Sequence, residues 1–447
     1  MSQKTIAAIA TASGIGSIAI VRVSGSDALA IALKLAPKVR LDTRVAKLAS
    51  IYNSDNDLID QALIIYFQSP ASFTGEDIVE FQCHGGAVIA QEILETLLYH
   101  GAVLAKPGEF TKRAFLNGKI DLSKAEAVAK MIETKSVDGA KILARQLKGE
   151  LGDFINEMRQ ILVALLAHSE VMIDYAEEDI PTDLLSNLEN KLISVANKLE
   201  TIVATSKRRK GLIEGFWLGI IGKPNVGKSS ILNRMLNFDR AIVSDIAGTT
   251  RDTIEEQVRI GTHLVRVADT AGIREAKDTI EKLGVERSIK WLEESDIVVA
   301  VFDASAEFES EDKRVLKLLA ALERSKVLIV LNKIDQGIVI DLSNFKEYHI
   351  LKLSAKESVE PLLKEIEKRL NRYSSTDELM LVSTRQIDSV TKALNEIDLA
   401  KQPLEENVLE FFSYHINSAI EALGEITRPY RHEEILDKMF SDFCLGK

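Results

Sequence analysis

Gly222-Lys-Pro-Asn-Val-Gly-Lys-Ser229 decides the fold class of this 447-residue chain. The stretch fits the pattern G-x-x-x-x-G-K-[ST], follows the apolar run 216–221 and precedes the helical run 231–236. In that context the loop N–H groups and the helix N-terminus face one anion, and the lysine adds a point charge. We therefore expect Lys228 to contact the β- and γ-phosphates of a nucleotide and the Ser229 hydroxyl to ligate Mg²⁺.

Apolar runs and helical segments alternate on both sides of this loop. The predicted strands span residues 216–221, 264–268, 297–302, 327–331 and 349–353. This alternation is typical of a parallel α/β sheet, in which ligands bind outside the carboxyl ends of the strands. The sequence thus predicts an α/β domain over residues 214–373.

Three further motifs follow predicted strands. Asp269-Thr-Ala-Gly272 offers a carboxylate that can hold Mg²⁺ through water and a glycine amide that can sense the γ-phosphate. Asn332-Lys-Ile-Asp335 offers a carboxylate that can accept two hydrogen bonds from guanine, and Ser354-Ala-Lys356 can complete the base pocket. Adenine lacks that donor pair, so an ATP complex would leave a buried charge unpaired. The four motifs together predict a GTP-binding domain.

A switch loop is predicted between these motifs, at Asp245-Ile-Ala-Gly248 followed by Thr249-Thr250-Arg251-Asp252. Thr250 can ligate Mg²⁺ only while the γ-phosphate is present. Ras-type enzymes orient the attacking water with a glutamine directly after Asp-x-x-Gly, but here that residue is Ile273. Glu281 lies in a polar segment and could position the water, although its residue context alone favours a solvated helix position.

Composition and charge describe an ordinary globular chain. Charged residues make up 28% and hydrophobic residues 46%, with a net charge of −11. The average surface field therefore repels nucleic acid, and an RNA partner needs a local patch or a carrier protein. The count of two cysteines, Cys83 and Cys444, does not suggest a secreted disulfide scaffold and favours a reducing compartment. With no signal-peptide pattern and no 18-residue apolar stretch, we expect a cytoplasmic protein without membrane association.

The flanks of the α/β domain have different textures. Residues 1–118 alternate short apolar runs with turn signals, which predicts a small α+β domain. Residues 119–213 and 374–447 have apolar residues at three- and four-residue steps, which predicts long helices. The predicted fold is multidomain α/β and α+β. It consists of an N-terminal α+β domain and a helical domain interrupted by an inserted Ras-like P-loop G domain at 214–373.

Several motifs together resemble one family. They are Asn225 inside the phosphate loop, Gly248-Thr-Thr-Arg-Asp252, the terminal Phe443-Cys-Leu-Gly-Lys447, Phe73-Thr-Gly-Glu-Asp77, His84-Gly-Gly86, Pro107-Gly-Glu-Phe110 and Arg113-Ala-Phe-Leu-Asn117. The chain resembles the tRNA modification GTPase family MnmE (TrmE) over essentially its whole length. The resemblance implies a potassium-dependent G domain and an N-terminal domain that dimerises and binds 5-formyl- or 5,10-methylene-tetrahydrofolate. It also implies a heterotetramer with the flavoprotein MnmG (GidA) that adds an aminomethyl-type group to C5 of the wobble uridine of tRNA.

The resemblance also assigns roles to individual residues. It implies that the Asn225 side chain and the carbonyl groups of Ser244, Ile246 and Thr249 ligate K⁺. It implies catalytic roles for Glu281, Arg251 and Cys444, and folate contacts for Arg22, Glu80, Lys119 and Lys447. The predicted GTP-binding residues are Asn225, Val226, Gly227, Lys228, Ser229, Ser230, Ser244, Asp245, Ile246, Ala247, Gly248, Thr249, Thr250, Asp269, Thr270, Ala271, Gly272, Asn332, Lys333, Asp335, Ser354, Ala355 and Lys356.

Some interpretations stay open at this point. Cys444 is either a reactive thiol or a small apolar residue packed under the tail. The pair Cys83-His84 has no matching second ligand pair, so we interpret it as structural. The family's Pro- and Arg-containing turn is here Ala12-Ser-Gly-Ile-Gly-Ser17, and Ala19 and Cys83 stand where glycine is usual, which we expect to affect folate affinity. Two alternative functions are a regulatory GTPase in RNA or ribosome maturation and a folate-dependent one-carbon transferase regulated by GTP.

Overall fold

The computed structural model describes residues 4–12, 14–174, 182–238, 255–268, 291–373 and 378–428, together with Phe440 and Gly446. It divides into two compact units. The first comprises residues 1–129, 146–196 and 388–447, and the second comprises residues 130–145 and 197–387. Among the described residues, no helix combines the length and the apolar character that crossing a bilayer requires.

The amino-terminal part of the first unit is a six-stranded sheet with helices. Its elements are β1 (Ile6–Ile9), β2 (Ile18–Ser24), α1 (Ala28–Leu35), β3 (Lys47–Tyr52), β4 (Leu58–Phe67), β5 (Ile78–His84), α2 (Ala87–Tyr99), β6 (Val103–Leu104) and α3 (Glu109–Leu116). The strand order is β3-β4-β5-β2-β1-β6, and only the β1–β6 pair is parallel. Residues of both central strands, such as Val21 and Phe81, pack with α1 and α2 into one buried core. The predicted α+β domain is confirmed.

Long helices form the rest of the first unit. They are α4 (Leu122–Glu133), whose last turn belongs to the second unit, most of α6 (Glu150–Asp174), the first half of α7 (Thr182–Arg208), α12 (Thr384–Glu405) and α13 (Leu409–Thr427). Helices α6 and α13 pack along each other, with Met158, Leu162 and Ile416 fully buried. Apolar residues three and four positions apart lie on the same face of a helix, so the spacing in the sequence indicated these buried helix faces.

The second unit consists of an α/β domain and some helical residues next to it in sequence. These helical residues include α5 (Val137–Lys148) up to residue 145 and α8 (Gly211–Glu214). Its elements are β7 (Phe216–Ile221), α9 (Lys228–Phe238), β8 (Glu255–Ile260), β9 (His263–Ala268), β10 (Ile297–Asp303), α10 (Ser310–Leu319), β11 (Val327–Asn332), β12 (His349–Lys352) and α11 (Glu360–Leu370). The strand order is β12-β11-β10-β7-β9-β8, and only β8 runs antiparallel to its neighbour.

The burial of the central strands of this sheet accounts for their apolar sequences. All six residues of β11 are buried, as are all but the last residue of β10, because helices cover both faces of a parallel sheet. The five predicted strands lie at the predicted positions to within a residue or two. Strand β8 was not predicted: it is an edge strand rich in charged residues, and within residues 256–260 only Val258 and Ile260 are buried. The fold confirms a G-type α/β domain inserted between helical segments.

Candidate functional sites

The phosphate loop connects β7 to α9, and its glycines are required by close contacts. A Cβ atom at Gly222 would lie 2.3 Å from the carbonyl oxygen of Val301, and one at Gly227 would lie 2.2 Å from Asn332 Nδ2. Gly227 also has a φ of +99°, and Asn225 adopts a left-handed φ of +62°, which asparagine tolerates better than most residues. The backbone is thus held in a tight curl whose N–H groups lead into the first turn of α9, as phosphate binding requires.

Two lysines of the loop have different partners. Lys228 Nζ donates to the carbonyl oxygens of Gly222 (2.9 Å) and Lys223 (2.7 Å), which holds the ammonium group over the loop. Lys223 instead binds Glu309 (2.9 Å) and Asp312 (2.8 Å) at the start of α10. Burial alone would lower the pKa of Lys223, but hydrogen bonds to these two carboxylates outweigh it and raise the pKa. Lys223 therefore anchors the loop, while Lys228 is placed to meet an anion.

Asn332 joins the phosphate loop to the predicted base pocket. Its Nδ2 donates to the carbonyl oxygen of Val226 (2.8 Å), and its Oδ1 accepts from the Ala355 N–H (2.8 Å). The side chain is 2% exposed, so both hydrogen bonds are shielded from water. The structure places Asn332 as a bridge between two loops, whereas the sequence had suggested only a position in the base-binding motif.

The base-pocket loops are held by further contacts that the sequence did not reveal. Lys333 adopts a left-handed conformation, and its Nζ lies 2.6 Å from Asp303 at the end of β10. Burial alone would raise the pKa of Asp303, but hydrogen bonds from Lys333 and Ser305 outweigh it and lower the pKa. Arg234 of α9 donates to the carbonyl oxygens of Lys356 and Glu357. An arginine six residues after the phosphate-loop lysine carries no motif signal, so only the fold could identify this contact.

The described residues among those expected to hold a guanine nucleotide offer groups that suit that ligand. The Asp335 side chain is exposed at the same sheet edge as the phosphate loop, because parallel strands end together. The Ser354 Oγ is buried and has no hydrogen-bond partner among the described residues. A buried hydroxyl group without a partner is costly, so it suits a site that a ligand completes. Ser229 and Ser230 are exposed in the first turn of α9, where Mg²⁺ and phosphate would be met.

Several predicted residues lie outside the described residues. They are Ser244, Asp245, Ile246, Ala247, Gly248, Thr249, Thr250, Arg251, Asp269, Thr270, Ala271, Gly272, Glu281, Cys444 and Lys447. The neighbouring Gly446 is described and lies against the end of β1, where a Cβ atom would be 2.4 Å from the carbonyl oxygen of Ile9. Phe440 packs near Phe115, with ring centroids 6.4 Å apart, and beside Leu122. Both described residues of the carboxyl-terminal segment are therefore seated on the amino-terminal part of the first unit.

The three predicted folate residues that the structure describes have partners within the protein. Arg22 and Glu80 are direct cross-strand neighbours on β2 and β5, and their side chains pair at 2.7 Å, with Arg22 over the Phe110 ring. Lys119 Nζ donates to the carbonyl oxygen of Pro70 (2.8 Å) and packs beside Gly75. The Phe110 ring beneath Arg22 is fully buried, so the arginine–glutamate pair itself offers the hydrogen-bonding groups that a pterin requires.

A buried charge network joins the amino-terminal motifs. Arg113 is 4% exposed and binds Glu76 (3.1 Å), Glu109 (2.8 Å) and the carbonyl oxygen of Lys4 (2.8 Å). Glu76 also accepts from Ser24 (2.8 Å). Burying a guanidinium group requires such full pairing, so the network fixes the loop 69–77 against α3. Arg113, Glu109 and Glu76 belong to separate sequence motifs, and only the fold pairs them.

The unusual residues near this region pack together. Ala19 and Cys83 are direct cross-strand partners, both buried, and the Cys83 Sγ lies 3.5 Å from the carbonyl oxygen of Ala19. Burial raises the pKa of the Cys83 thiol, with a smaller contribution from Asp60. His84 Nδ1 lies 2.7 Å from Asp60. The described residues contain no cluster of three or more potential metal ligands. The interpretation of Cys83 and His84 as structural stays a prediction.

Comparisons with known proteins agree with this architecture. A family model described as the MnmE helical domain matches residues 122–444, and one described as the GTP-binding protein TrmE N-terminus matches residues 5–119. The chain is 57% identical to the tRNA modification GTPase MnmE of a Sulfurovum species over 445 residues, covering 100% of this chain and 99% of the relative. It is 59% identical to the protein of that name from a Nitratiruptor species over 447 residues, with coverage of 100% and 99%. On this full-length similarity, together with the phosphate loop and base-pocket loops at one sheet edge, the chain belongs to the tRNA modification GTPase family MnmE.

Proposed function

We propose that this protein hydrolyses GTP with Mg²⁺ and K⁺ and, with a flavoprotein partner, modifies the wobble uridine of tRNA. The modification would be an aminomethyl-type addition at C5 that uses a tetrahydrofolate one-carbon unit. The observation that carries the GTP part is the Asn332 bridge, which ties the phosphate loop to Ala355 of the base pocket. One buried side chain thereby sets the distance between triphosphate and base.

The chain's own residues divide the work of nucleotide binding. Loop N–H groups and Lys228 hold the phosphates, Ser229 is placed for Mg²⁺, and Asp335 reads the guanine edge. Bound Mg²⁺ and K⁺ would neutralise charge that develops on the phosphates in the transition state. Asn225 is exposed and held in a left-handed conformation by the loop, so its side-chain oxygen is accessible to serve as the K⁺ ligand that the family resemblance assigns to it.

Hydrolysis needs a group that orients water, and Ile273 cannot do so. We assign this role to Glu281, assisted by Arg251. Glu281→Ala is expected to retain GTP binding and lower kcat at least about tenfold, equivalent to about 1.4 kcal/mol of barrier. Turnover in KCl should exceed turnover in NaCl at equal ionic strength. An unchanged kcat would remove Glu281 from the mechanism, and equal rates in the two salts would remove Asn225 as a K⁺ ligand.

The folate part of the proposal rests on the amino-terminal residues. We propose that Arg22, Glu80, Lys119 and Lys447 contact a 5-formyl- or 5,10-methylene-tetrahydrofolate. Lys447 is the neighbour of Gly446, which lies at the end of β1. Calorimetry on Arg22→Ala and Lys119→Ala should show weaker folate binding than the wild-type protein, and Arg40→Ala, an exposed arginine of the same unit, is the matched control. Wild-type affinity in both test variants would exclude these contacts.

Dimerisation is proposed through the edge strand β3. Leu48 and Leu63 are direct cross-strand neighbours on β3 and β4, and they are 67% and 40% exposed. An apolar pair on an edge strand is usually covered in the assembled protein. We expect Leu48→Lys to shift the sedimentation coefficient from dimer to monomer, while Leu399→Lys, at an exposed leucine on α12, leaves it unchanged.

The tRNA part is tested by nucleoside analysis of tRNA from a deletion strain, complemented with the wild-type chain or with Lys228→Ala. We expect the modified wobble uridine to disappear and to return only with the wild-type chain. Unchanged uridines would favour a regulatory GTPase instead. Product formed from folate and tRNA without the flavoprotein would favour a folate-dependent transferase.

A further inference from the structure

A polar groove of about 580 Å³ lies in the helical part of the first unit. It is formed by α6, by the end of α13 and by the residue that precedes α4. The lining residues are polar or charged apart from one glycine. They are Asp121, Asn156, Arg159, Gln160, Gly424, Thr427 and Arg428. None of them belongs to the nucleotide-binding or folate-binding residues described above.

Arg159 is held in place on the wall of this groove. Its Nε donates to the carbonyl oxygen of Ile420 at 3.4 Å. A Cβ atom at Gly424 would lie 3.7 to 3.9 Å from three guanidinium atoms, so the group rests on the α13 backbone at a position that lacks a side chain. Its two terminal nitrogens have no hydrogen-bond partner among the described residues. A fixed fork of N–H donors is the arrangement that binds a phosphate group in two places.

The charge balance of the groove favours an anion. Arg428 follows the last residue of α13, its N–H donates to the carbonyl oxygen of Gly424 (2.9 Å), and its side chain is exposed. Asp121 is the one carboxylate in the lining. It already accepts from Ser123 Oγ (2.6 Å) and from the Lys124 N–H (2.9 Å). Two guanidinium groups therefore face the groove against one carboxylate that is already hydrogen-bonded.

We propose that this groove binds phosphate groups of the tRNA backbone, an inference that rests on the proposed tRNA function. A chain with a net charge of −11 repels RNA on average, so RNA must be met by a local concentration of cations. Asn156 and Gln160 lie on the same face of α6 as Arg159 and add neutral hydrogen-bonding groups for sugars. Because Asn156, Gln160 and Arg428 are exposed, the groove is open enough for a polymer chain to enter and leave.

The test measures binding of a fluorescently labelled tRNA to the full-length protein between about 50 and 200 mM salt. Arg159→Gln and Arg428→Gln should each lower the affinity about fivefold to tenfold and reduce the slope of log K against log salt by about 1. Arg40→Gln removes the same charge from an arginine that is 95% exposed in the same unit, and it should change neither quantity. Arg159→Lys keeps the positive charge but loses the two-pronged guanidinium group. Its salt slope should therefore lie close to the wild-type value, while its tRNA affinity stays below the wild-type value.

The outcomes separate this proposal from its alternatives. GTP turnover and the circular dichroism spectrum should match those of the wild-type protein in every variant, which shows that folding is intact. If the double variant Arg159→Gln/Arg428→Gln bound tRNA with the affinity and salt slope of Arg40→Gln, the proposal would be overturned. Inorganic phosphate that binds the wild-type groove, with tRNA affinity unaffected by the substitutions, would make it a small-anion site instead. A wild-type protein that binds GTP but no tRNA would instead refute the tRNA part of the proposed function.

Discussion

The Asn332 bridge gives the sharpest prediction about the nucleotide site. Asn332→Ala removes two buried hydrogen bonds, one to the Val226 carbonyl group and one from the Ala355 N–H. Each is worth about 1 kcal/mol net, and each backbone group left unpaired costs about 1 to 3 kcal/mol. We therefore expect the substitution to destabilise the binding-competent arrangement of the two loops by at least about 2 kcal/mol. This corresponds to a decrease of about 30-fold in nucleotide affinity.

Two measurements check this prediction. Fluorescent GDP and GTP analogues should both bind about 30-fold more weakly, because the bridge positions the loops and does not contact the γ-phosphate. Hydrogen exchange should show faster exchange of the Ala355 N–H in the nucleotide-free protein. Asn344→Ala is the matched control, since Asn344 is an exposed asparagine whose Nδ2 binds the Asp341 carbonyl group at 2.9 Å. Its affinities should be unchanged.

A particular result would refute the reasoning. If Asn332→Ala bound GDP with wild-type affinity and Ala355 kept its protection, the two loops would be positioned by other contacts. A loss of GTP affinity without a loss of GDP affinity would also contradict it, because that pattern would place Asn332 at the γ-phosphate.

Three further predictions concern the same domain. Gly227→Ala should abolish nucleotide binding, whereas Gly337→Ala, with a similar φ of +96° but nothing within 4 Å of the added Cβ atom, should cost only the backbone strain of about 1 kcal/mol in thermal unfolding. Equal effects would show that the contact with Asn332 is unimportant. Asp335→Asn should lower GTP affinity about 100-fold, because the paired hydrogen bonds from guanine lose their charged acceptor, and a binding assay with xanthosine triphosphate should show improved affinity. Asp303→Asn should be less stable than the wild-type protein at neutral pH. The folded pKa of Asp303 lies below its unfolded value, so its contribution is present above about pH 4 and is lost as the pH falls through the folded pKa. Unfolding curves of the two proteins should converge in acid, and a constant difference down to about pH 2 would contradict the role of the Lys333 pair.

The amino-acid pattern predicted most of the secondary structure, because the spacing of buried apolar residues along a helix or strand can be read from the local sequence. Strand β7 has the predicted bounds, and the fully apolar runs of β10 and β11 indicated strands with two covered faces. Strand β8 escaped prediction since an edge strand buries few residues and carries many charges. The order of nucleotide-binding motifs was equally readable, because each glycine and acidic residue sits at a fixed offset from a strand end.

The sequence by itself therefore determined the family, the class of nucleotide and the residue types at each loop. Only the tertiary structure decided which polar groups pair: Asn332 with Val226 across 106 residues, Arg113 with Glu76 across 37, and Gly446 with the end of β1. The physical reason is that a hydrogen bond or a close glycine contact depends on positions within a few tenths of an ångström. Those positions are set by the packing of whole elements, and local sequence patterns contain no information on that scale.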